Sequence, residues 1–138
     1  MDHLSLPDIE AIVDNETLFY APEPTPIDRH YIPAEQLLEL PATEINYVEP
    51  SDIIETMNIA LEFVPSYNID KYNPEIPGQL WHPPEAKWVG VIIDFGKGRI
   101  YQAGDSDHVP EMAQVRAYIA FLPLQGGARW DLKKQQRR

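Results

Sequence analysis

The sequence contains no cysteine, no long apolar run and few basic side chains, and each shortage excludes a class of protein. Without cysteine there is no disulfide, no thiolate zinc site and no cysteine nucleophile. No apolar run approaches the roughly 20 residues that span a bilayer, and the first residues lack the basic and apolar regions of a signal peptide. We therefore expect a cytoplasmic protein that does not bind membranes.

Acidic side chains outnumber basic ones by 22 to 11, so the formal net charge is -11. A surface of this sign repels a phosphate backbone, which argues against a nucleic-acid partner. Hydrophobic residues make up 43% of the 138 positions, a composition that supports about one domain with a packed core. We expect residues 1–127 to form this domain and residues 128–138 to be a polar, basic tail.

The 14 prolines cut the chain into short elements. Apolar patterning and turn residues predict helices at 5–13 and 33–40, a helix that begins at 109, and strands at 17–21, 44–48, 58–65, 88–95, 99–103 and 118–124. A glycine turn at 96–98 lies between two apolar runs and indicates a hairpin. Residues 66–88 form a predicted long loop, of the kind that often carries function. This alternation of short helices and strands favours α/β or α+β layers.

Two places in the sequence offer metal-binding side chains. Asp2 and His3 are an adjacent carboxylate and imidazole, a pair that suits zinc or another divalent ion. Asp105 follows a glycine at the end of a predicted strand, where ligands collect in open α/β sheets. The alternatives are an exposed histidine near the N-terminus and an aspartate that caps a turn.

Taken in order, several segments resemble the metallo-β-lactamase-fold metal-dependent hydrolases. The Asp2-His3-Leu4-Ser5 segment resembles the end of that family's His-x-His-x-Asp-His motif, and Ala103-Gly104-Asp105-Ser106-Asp107 resembles its Ala-Gly-Asp-Thr-Asp segment. The matching segments are Asp2–Ile9, Val64–Asn68, Trp81–Pro83, Lys87–Ile93, Arg99–Asp107, Val109–Met112 and Ala120–Gly127. Each motif is short, and it is their order along the chain that makes the resemblance specific.

The resemblance implies a fold, a chemistry and a set of ligands. The fold would be an incomplete αββα sandwich with mixed sheets and short helices. Asp2, His3, His82 and Asp105 would bind metal, with Asp105 bridging two ions and with Asp2 and Asp105 as catalytic residues. The ions would be zinc, manganese or iron, and they would lower the pKa of a bound water that attacks a small-molecule ester, amide or phosphoester.

The chain departs from the family pattern at both ends. The two earlier histidines of the first motif and the final histidine are absent, whereas a catalytic zinc ion needs about three protein ligands. One hypothesis is a hydrolase that is a fragment or a degenerate member. The second is a non-catalytic remnant or interaction domain that binds metal weakly or not at all, and the third is a site completed by a partner chain in a homo-oligomer. Whether this chain alone is an enzyme stays open.

The other histidines and one short motif have simpler interpretations. His30 is expected on a surface loop and His108 in a packed or exposed position, while His82 has the alternative of an exposed loop histidine beside two prolines. Asp105-Ser106-Asp107 also matches the Asp-x-Asp motif with which nucleotide-sugar transferases hold a metal, but a motif this short is weak evidence. The tryptophans are expected to pack rather than to stack on a ligand.

Overall fold

The computed structural model describes residues 6–23 and 44–123, and the chain divides into two compact units, Met1–Val48 and Glu49–Arg138. In the part of the chain that is described, no helix is long and apolar enough to cross a membrane. The predicted features that lie outside the described residues are Asp2, His3, His30, the helix at 33–40 and the tail at 128–138. As the prolines predict, both units are built from short elements.

The first unit contains a short helix and two parallel strands. Helix α1 spans Leu6–Glu10, strand β1 spans Leu18–Pro22, and strand β2 spans Glu44–Val48 and pairs with β1 in parallel. The regular helix is shorter than the sequence predicts, although the Val13 N–H still donates to the Ile9 carbonyl at 3.0 Å. Both strands lie within one residue of their predicted positions.

An aspartate-centred turn leads from the helix to β1. The Asp14 carboxylate accepts hydrogen bonds from the Glu16 N–H at 2.9 Å and from the Thr17 hydroxyl at 3.0 Å. These two bonds stabilise the charged carboxylate and lower the pKa of Asp14. The turn between the helix and β1 is therefore stabilised by the Asp14 side chain.

The second unit is built on a five-stranded sheet in which neighbouring strands follow chain order, β3-β4-β5-β6-β7. The strands are β3 Ile53–Thr56, β4 Ile59–Pro65, β5 Val89–Asp94, β6 Arg99–Gln102 and β7 Ile119–Phe121. All pairs are antiparallel except β6 with β7, which is parallel. A parallel pair needs a long crossover, and residues 103–118 supply it, including a 3₁₀ helix at Pro110–Gln114 where the sequence predicts the start of a helix.

The predicted hairpin is confirmed, with β5 and β6 joined through the glycine turn. Asp94 lies opposite Arg99, and the Phe95 N–H donates to the Gly98 carbonyl at 3.0 Å. Gly96 has a φ of 75°, which glycine adopts without steric cost, and the Asp94 carboxylate accepts its N–H at 2.7 Å. The hairpin fixes the register of β6 against β5, and hence the position of Asp105, which follows the end of β6.

The core of the second unit lies on one face of β5 and β6. Ile92, Tyr101 and Ala103 are buried there, and three half-buried apolar side chains pack against them, Val64, Met112 and Val115. Because Met112 and Val115 lie in the crossover, burial of their side chains holds the crossover against the sheet. The segment that carries Asp105 is therefore anchored on both sides.

Tyr101 brings a buried hydroxyl into this core, and its ionisation should limit stability in alkaline solution. Burial raises the pKa of Tyr101 from 10.0 to about 12. Because the folded value lies above the unfolded value, the associated stability is complete below pH 10 and is lost as pH rises towards 12. We expect the free energy of unfolding of the wild type to fall by about 2–3 kcal/mol more than that of Tyr101→Phe across this window.

Denaturant unfolding followed by tryptophan fluorescence at a series of pH values would test this prediction. At neutral pH the Tyr101→Phe variant should unfold at nearly the wild-type denaturant concentration, because the Tyr101 hydroxyl has no hydrogen-bond partner among the described residues. Parallel pH profiles for the two proteins would contradict the prediction.

The predicted architecture is confirmed as an α+β fold with mixed sheets and short helices. Parallel and antiparallel pairs occur together, and the only α-helix among the described residues has five residues. These features are consistent with part of a metallo-β-lactamase-like fold. The predicted domain at 1–127 and the predicted tail at 128–138 stay predictions.

Candidate metal site

The second unit brings His82 and Asp105 together, although 23 positions separate them in the sequence. The His82 Nε2 atom lies 3.6 Å from the Asp105 Oδ2 atom, and the His82 Nδ1 atom lies 3.1 Å from the Asp105 backbone carbonyl. The side chains are 19% and 39% exposed, respectively. Two of the four predicted ligands are thus adjacent and open to solvent, and the other two, Asp2 and His3, lie outside the described residues.

The loop after β6 positions Asp105. Gly104 has a φ of 64°, which turns the chain sharply at the strand end, and a Cβ atom there would lie 3.3 Å from the Ser66 Oγ atom. The buried Ser66 hydroxyl donates to the Ala103 carbonyl at 3.1 Å. The end of β4 therefore holds the Asp105 loop through a side-chain hydrogen bond.

Ser106 and Asp107 fasten the same loop to the start of the 66–88 segment. The fully buried Ser106 hydroxyl accepts the Tyr67 N–H at 3.2 Å, and the Asp107 N–H donates to the Tyr67 carbonyl at 2.9 Å. The Asp107 carboxylate accepts the Ile69 N–H at 2.9 Å and lies 2.6 Å from the Lys71 Nζ atom. Asp107 thus organises the loop, and its carboxylate contacts Lys71 and Ile69 rather than contributing to a site shared with Asp105.

The side chain of Tyr67 reaches the crossover between β6 and β7. The hydroxyl donates to the Glu111 carboxylate at 3.0 Å. Partial burial and the neighbouring Glu111 carboxylate raise the pKa of the Tyr67 hydroxyl, so it stays protonated and acts as a hydrogen-bond donor at neutral pH.

The segment from Ser66 to Trp88 folds back on itself and presents His82. The Trp81 N–H donates to the Lys71 carbonyl at 2.9 Å, and Tyr72 and Leu80 form an antiparallel bridge. The predicted long loop is therefore ordered by its own backbone hydrogen bonds. Trp81 is 40% exposed, in contrast to the packing role expected for it.

Two contacts orient the His82 ring. Its centroid lies 4.5 Å from that of Trp88, with the ring planes at 79° in an edge-to-face arrangement. A carbonyl oxygen can only accept a hydrogen bond, so the Nδ1 atom that faces the Asp105 carbonyl carries the proton. The Nε2 atom then presents its lone pair on the side of the Asp105 carboxylate.

This geometry suits two ligands of one divalent ion. At metal–ligand distances of about 2.1 Å, tetrahedrally arranged ligand atoms lie about 3.4 Å apart, close to the 3.6 Å between His82 Nε2 and Asp105 Oδ2. Metal-binding histidines usually donate their other ring N–H to a carbonyl or carboxylate, as His82 does. No group of three or more potential ligands occurs within residues 6–23 and 44–123, so the described donors alone do not complete a site.

Several residues that build the site are not apparent from the sequence. Asn68, Ser66 and Ser106 are polar and lie in loops, yet each is at most 4% exposed. Their only sequence signal is position, because Ser66 and Asn68 lie in the matched Val64–Asn68 segment and Ser106 follows Asp105. His108 is exposed, one of the two positions expected for it.

Comparisons with known proteins give one informative likeness. No family model matches the chain, and no curated protein matches it significantly. A solved structure from Parabacteroides distasonis, provisionally assigned as a metal-dependent hydrolase, matches with a TM-score of 0.66 and 27% sequence identity. The match covers 90% of this chain and 49% of that one, so the chain spans about half the length of this neighbour.

A second solved structure, the E377D mutant of the β-hydroxylase CmlA, is more distant. It matches with a TM-score of 0.46 and 15% identity over 67% of this chain and 16% of that one. The Parabacteroides distasonis match alone shows that the chain shares its α+β fold with roughly half of a protein assigned as a metal-dependent hydrolase.

Proposed function

We propose that this chain is part of, or a degenerate member of, a metal-dependent hydrolase with the metallo-β-lactamase fold. The observation that carries the proposal is the convergence of His82 and Asp105, two ligands predicted from separate motifs, at a distance that suits one ion. The Parabacteroides distasonis structure supports it, because this likeness extends over most of the chain and concerns a protein assigned to metal-dependent hydrolysis.

His82 Nε2 and Asp105 Oδ2 would hold a divalent ion. Imidazole and carboxylate donors suit zinc, and also manganese or iron. When bound, such an ion lowers the pKa of water and supplies a nucleophile at neutral pH. The two described donors fit part of such a site, and the further ligands come from outside the described residues. Asp2 and His3 remain predicted ligands, and a second ion remains a prediction.

The described residues of this chain would bind and orient the metal ion, and would not attack the substrate themselves. The Asp105 carbonyl fixes the proton of His82 on Nδ1, so the imidazole is ready to act as a ligand. The Asp105 carboxylate is anchored through its loop and remains partly open to solvent. A small-molecule ester, amide or phosphoester is the proposed substrate class, and fold alone does not choose among these.

The alternative proposal is a non-catalytic domain that binds metal weakly or not at all. It is favoured by the lack of a third ligand within residues 6–23 and 44–123. In that case the fold would serve an interaction. A site completed by a partner chain in a homo-oligomer remains a third, separate proposal. The cytoplasmic location and the lack of nucleic-acid and membrane partners also stay predictions, based on composition.

Calorimetric titration of the full chain with zinc and with manganese separates the two proposals. A ligated site should bind zinc with a Kd of about 1 μM or tighter, roughly 8 kcal/mol of binding free energy. If binding is found, hydrolysis of ester, amide and phosphodiester substrates should appear on adding metal and disappear on adding a chelator. Heats equal to those of dilution for both metals would favour the non-catalytic domain.

A further inference from the structure

Asn68 lies between the two candidate ligands and contacts both. It is 2% exposed, and its side-chain amide N–H donates to the Asp105 carbonyl at 3.3 Å. Its side-chain oxygen accepts the backbone N–H of His82 at 3.1 Å. The buried Asn68 amide thus connects the two residues, because its N–H group donates to Asp105 and its oxygen accepts from His82.

The backbone of Asn68 adds a second hydrogen bond to His82. The Asn68 N–H donates to the His82 carbonyl at 2.7 Å. Together with the bond to the Asn68 side-chain oxygen, this closes a ring in which both backbone groups of His82 are held by one residue. The position of the His82 Cα atom is therefore set by Asn68, and only rotation of its side chain is left to be fixed.

The Asp105 carbonyl fixes that rotation. It accepts hydrogen bonds from the Asn68 amide and from the His82 Nδ1–H, and a carbonyl oxygen has two lone pairs for two such donors. The amide of Asn68 thus helps to orient the Asp105 carbonyl, which determines which ring nitrogen of His82 carries the proton. We infer that Asn68 is a positioning residue, which holds the His82 imidazole and the Asp105 loop in the arrangement that binds metal.

Other contacts hold the two loops together without Asn68. Ser66, Ser106 and Asp107 join the 66–88 segment to the Asp105 loop independently. Because these contacts remain when Asn68 is replaced, the fold should survive, and the change should be local to His82 and Asp105. Positioning by Asn68 can therefore be separated from general stability.

Asn73 offers a matched control in the same segment. It is also a buried asparagine, 7% exposed, and its side-chain oxygen accepts the Glu75 N–H at 2.8 Å. Within the described residues its hydrogen bonds involve Glu75, Ile76 and Gln79, and none involves His82 or Asp105. The Asn73→Ala variant therefore removes a buried amide and a loop hydrogen bond while leaving the contacts of Asn68 in place.

The first measurement concerns the metal-free full chain, so it does not depend on metal binding. NMR of the histidine ring nitrogens, at a pH above the usual imidazole pKa, reports which nitrogen of His82 carries the proton. We expect the Nδ1–H tautomer in the wild type and in Asn73→Ala, and a mixture of tautomers in Asn68→Ala. Wild-type ring-nitrogen shifts in Asn68→Ala would overturn the inference.

The second measurement is the affinity for zinc, and it rests on the proposed function. We expect Asn68→Ala to weaken zinc binding about 10-fold to 100-fold, as for other groups that orient a metal ligand, and Asn73→Ala to weaken it less than about 3-fold. Equal losses in the two variants would overturn the inference. If the His82 tautomer differs between the wild type and Asn68→Ala but the wild type binds no zinc, positioning by Asn68 is supported and the proposed function is contradicted.

A second variant covers the case in which Asn68→Ala does not fold. Asn68→Asp keeps an acceptor for the His82 N–H but, when ionised, has no donor for the Asp105 carbonyl. Because its shape matches that of asparagine it leaves no cavity, and in the folded protein with this carboxyl ionised it should show the tautomer change. The wild-type tautomer in a folded Asn68→Asp protein would overturn the role assigned to the amide N–H.

Discussion

Zinc binding should weaken by at least about 100-fold in either His82→Ala or Asp105→Ala. Loss of a residue that only orients a metal ligand weakens metal affinity by about 10-fold to 100-fold, so loss of a ligand itself should reach or exceed that range. Each substitution removes one of the two donors that converge in the second unit. A site that loses one of its donors binds the ion more weakly, because a stable zinc site draws on three or four protein ligands. Calorimetric titration of the full-length variants with zinc would measure the loss directly.

Both substitutions should leave the surrounding structure largely intact. The hydrogen bonds from Asn68 use backbone groups of His82 and Asp105, and these bonds survive truncation to alanine. His82→Ala also removes the Nδ1–H bond to the Asp105 carbonyl, which joins the two loops at one point among several. Far-UV circular dichroism and thermal unfolding should therefore resemble those of the wild type. A loss of zinc binding together with a loss of the fold would not count in favour of the metal site.

The chain offers a matched control for each variant. His108→Ala removes an imidazole from an exposed position near Asp105, and Asp70→Ala removes a carboxylate from an exposed position in the His82 segment. Each should change zinc affinity less than about 3-fold, the scale on which exposed charges act in salt. If His108→Ala weakens binding as much as His82→Ala, the ligand assignment is wrong.

The sheet of the second unit could be predicted from the sequence because its signals are local. Strands β5 and β6 are apolar runs joined by a turn that contains Gly96 and Gly98, and such a turn is a reliable hairpin signal. Strand β3 was missed, since it is four residues long and its turn to β4 contains no glycine. That turn instead places Met57 and Asn58 at φ values of 46° and 62°, where a non-glycine residue gives no clear turn signal.

The crossover shows a second limit of local patterns. The sequence at 109–112 predicts the start of a helix because proline and an acidic residue open it. The structure instead contains a 3₁₀ helix at Pro110–Gln114, and Val115 returns to an extended conformation with φ -63° and ψ 130°. Burial of Met112 and Val115 against the sheet outweighs local helix propensity here.

The candidate site depends on contacts that local patterns cannot reveal. The sequence connects His82 with Asp105 only through the resemblance, since nothing in their spacing brings them together. It gives Asn68 no role in the site, because a polar residue in a proline-rich loop is ordinarily exposed, whereas Asn68 is 2% exposed. The role of such a residue becomes apparent only when both of its hydrogen-bond partners are known.

The largest loss of stability should follow from Gly90→Ala. Gly90 is buried in β5, and a Cβ atom there would lie 2.8 Å from the Gln102 carbonyl oxygen and 3.2 Å from the Ala103 Cα atom. These neighbours are backbone atoms, which cannot rotate away as a side chain can. Strands β5 and β6 would have to separate at the end of β6, and overpacking of this kind costs about 3 kcal/mol.

The same separation should reach the candidate metal site. The backbone that must move, Gln102 and Ala103, leads directly into Gly104 and Asp105, so the Asp105 carboxylate should shift relative to His82. We therefore expect Gly90→Ala to lower the melting temperature by about 10 °C and to weaken zinc binding in the protein that remains folded. Thermal unfolding and calorimetry below the transition would measure the two effects separately.

Gly98→Ala is the matched control, because it changes a glycine of the same hairpin with a different expected sign. A Cβ atom at position 98 meets only the Tyr118 Cδ2 atom, at an ordinary contact distance of 3.8 Å. Alanine there reduces the freedom of the unfolded chain and should stabilise the protein by about 0.5 kcal/mol. A Gly90→Ala protein as stable as Gly98→Ala would mean that β5 and β6 do not approach as closely as described, and the placement of Asp105 beside His82 would lose its main support.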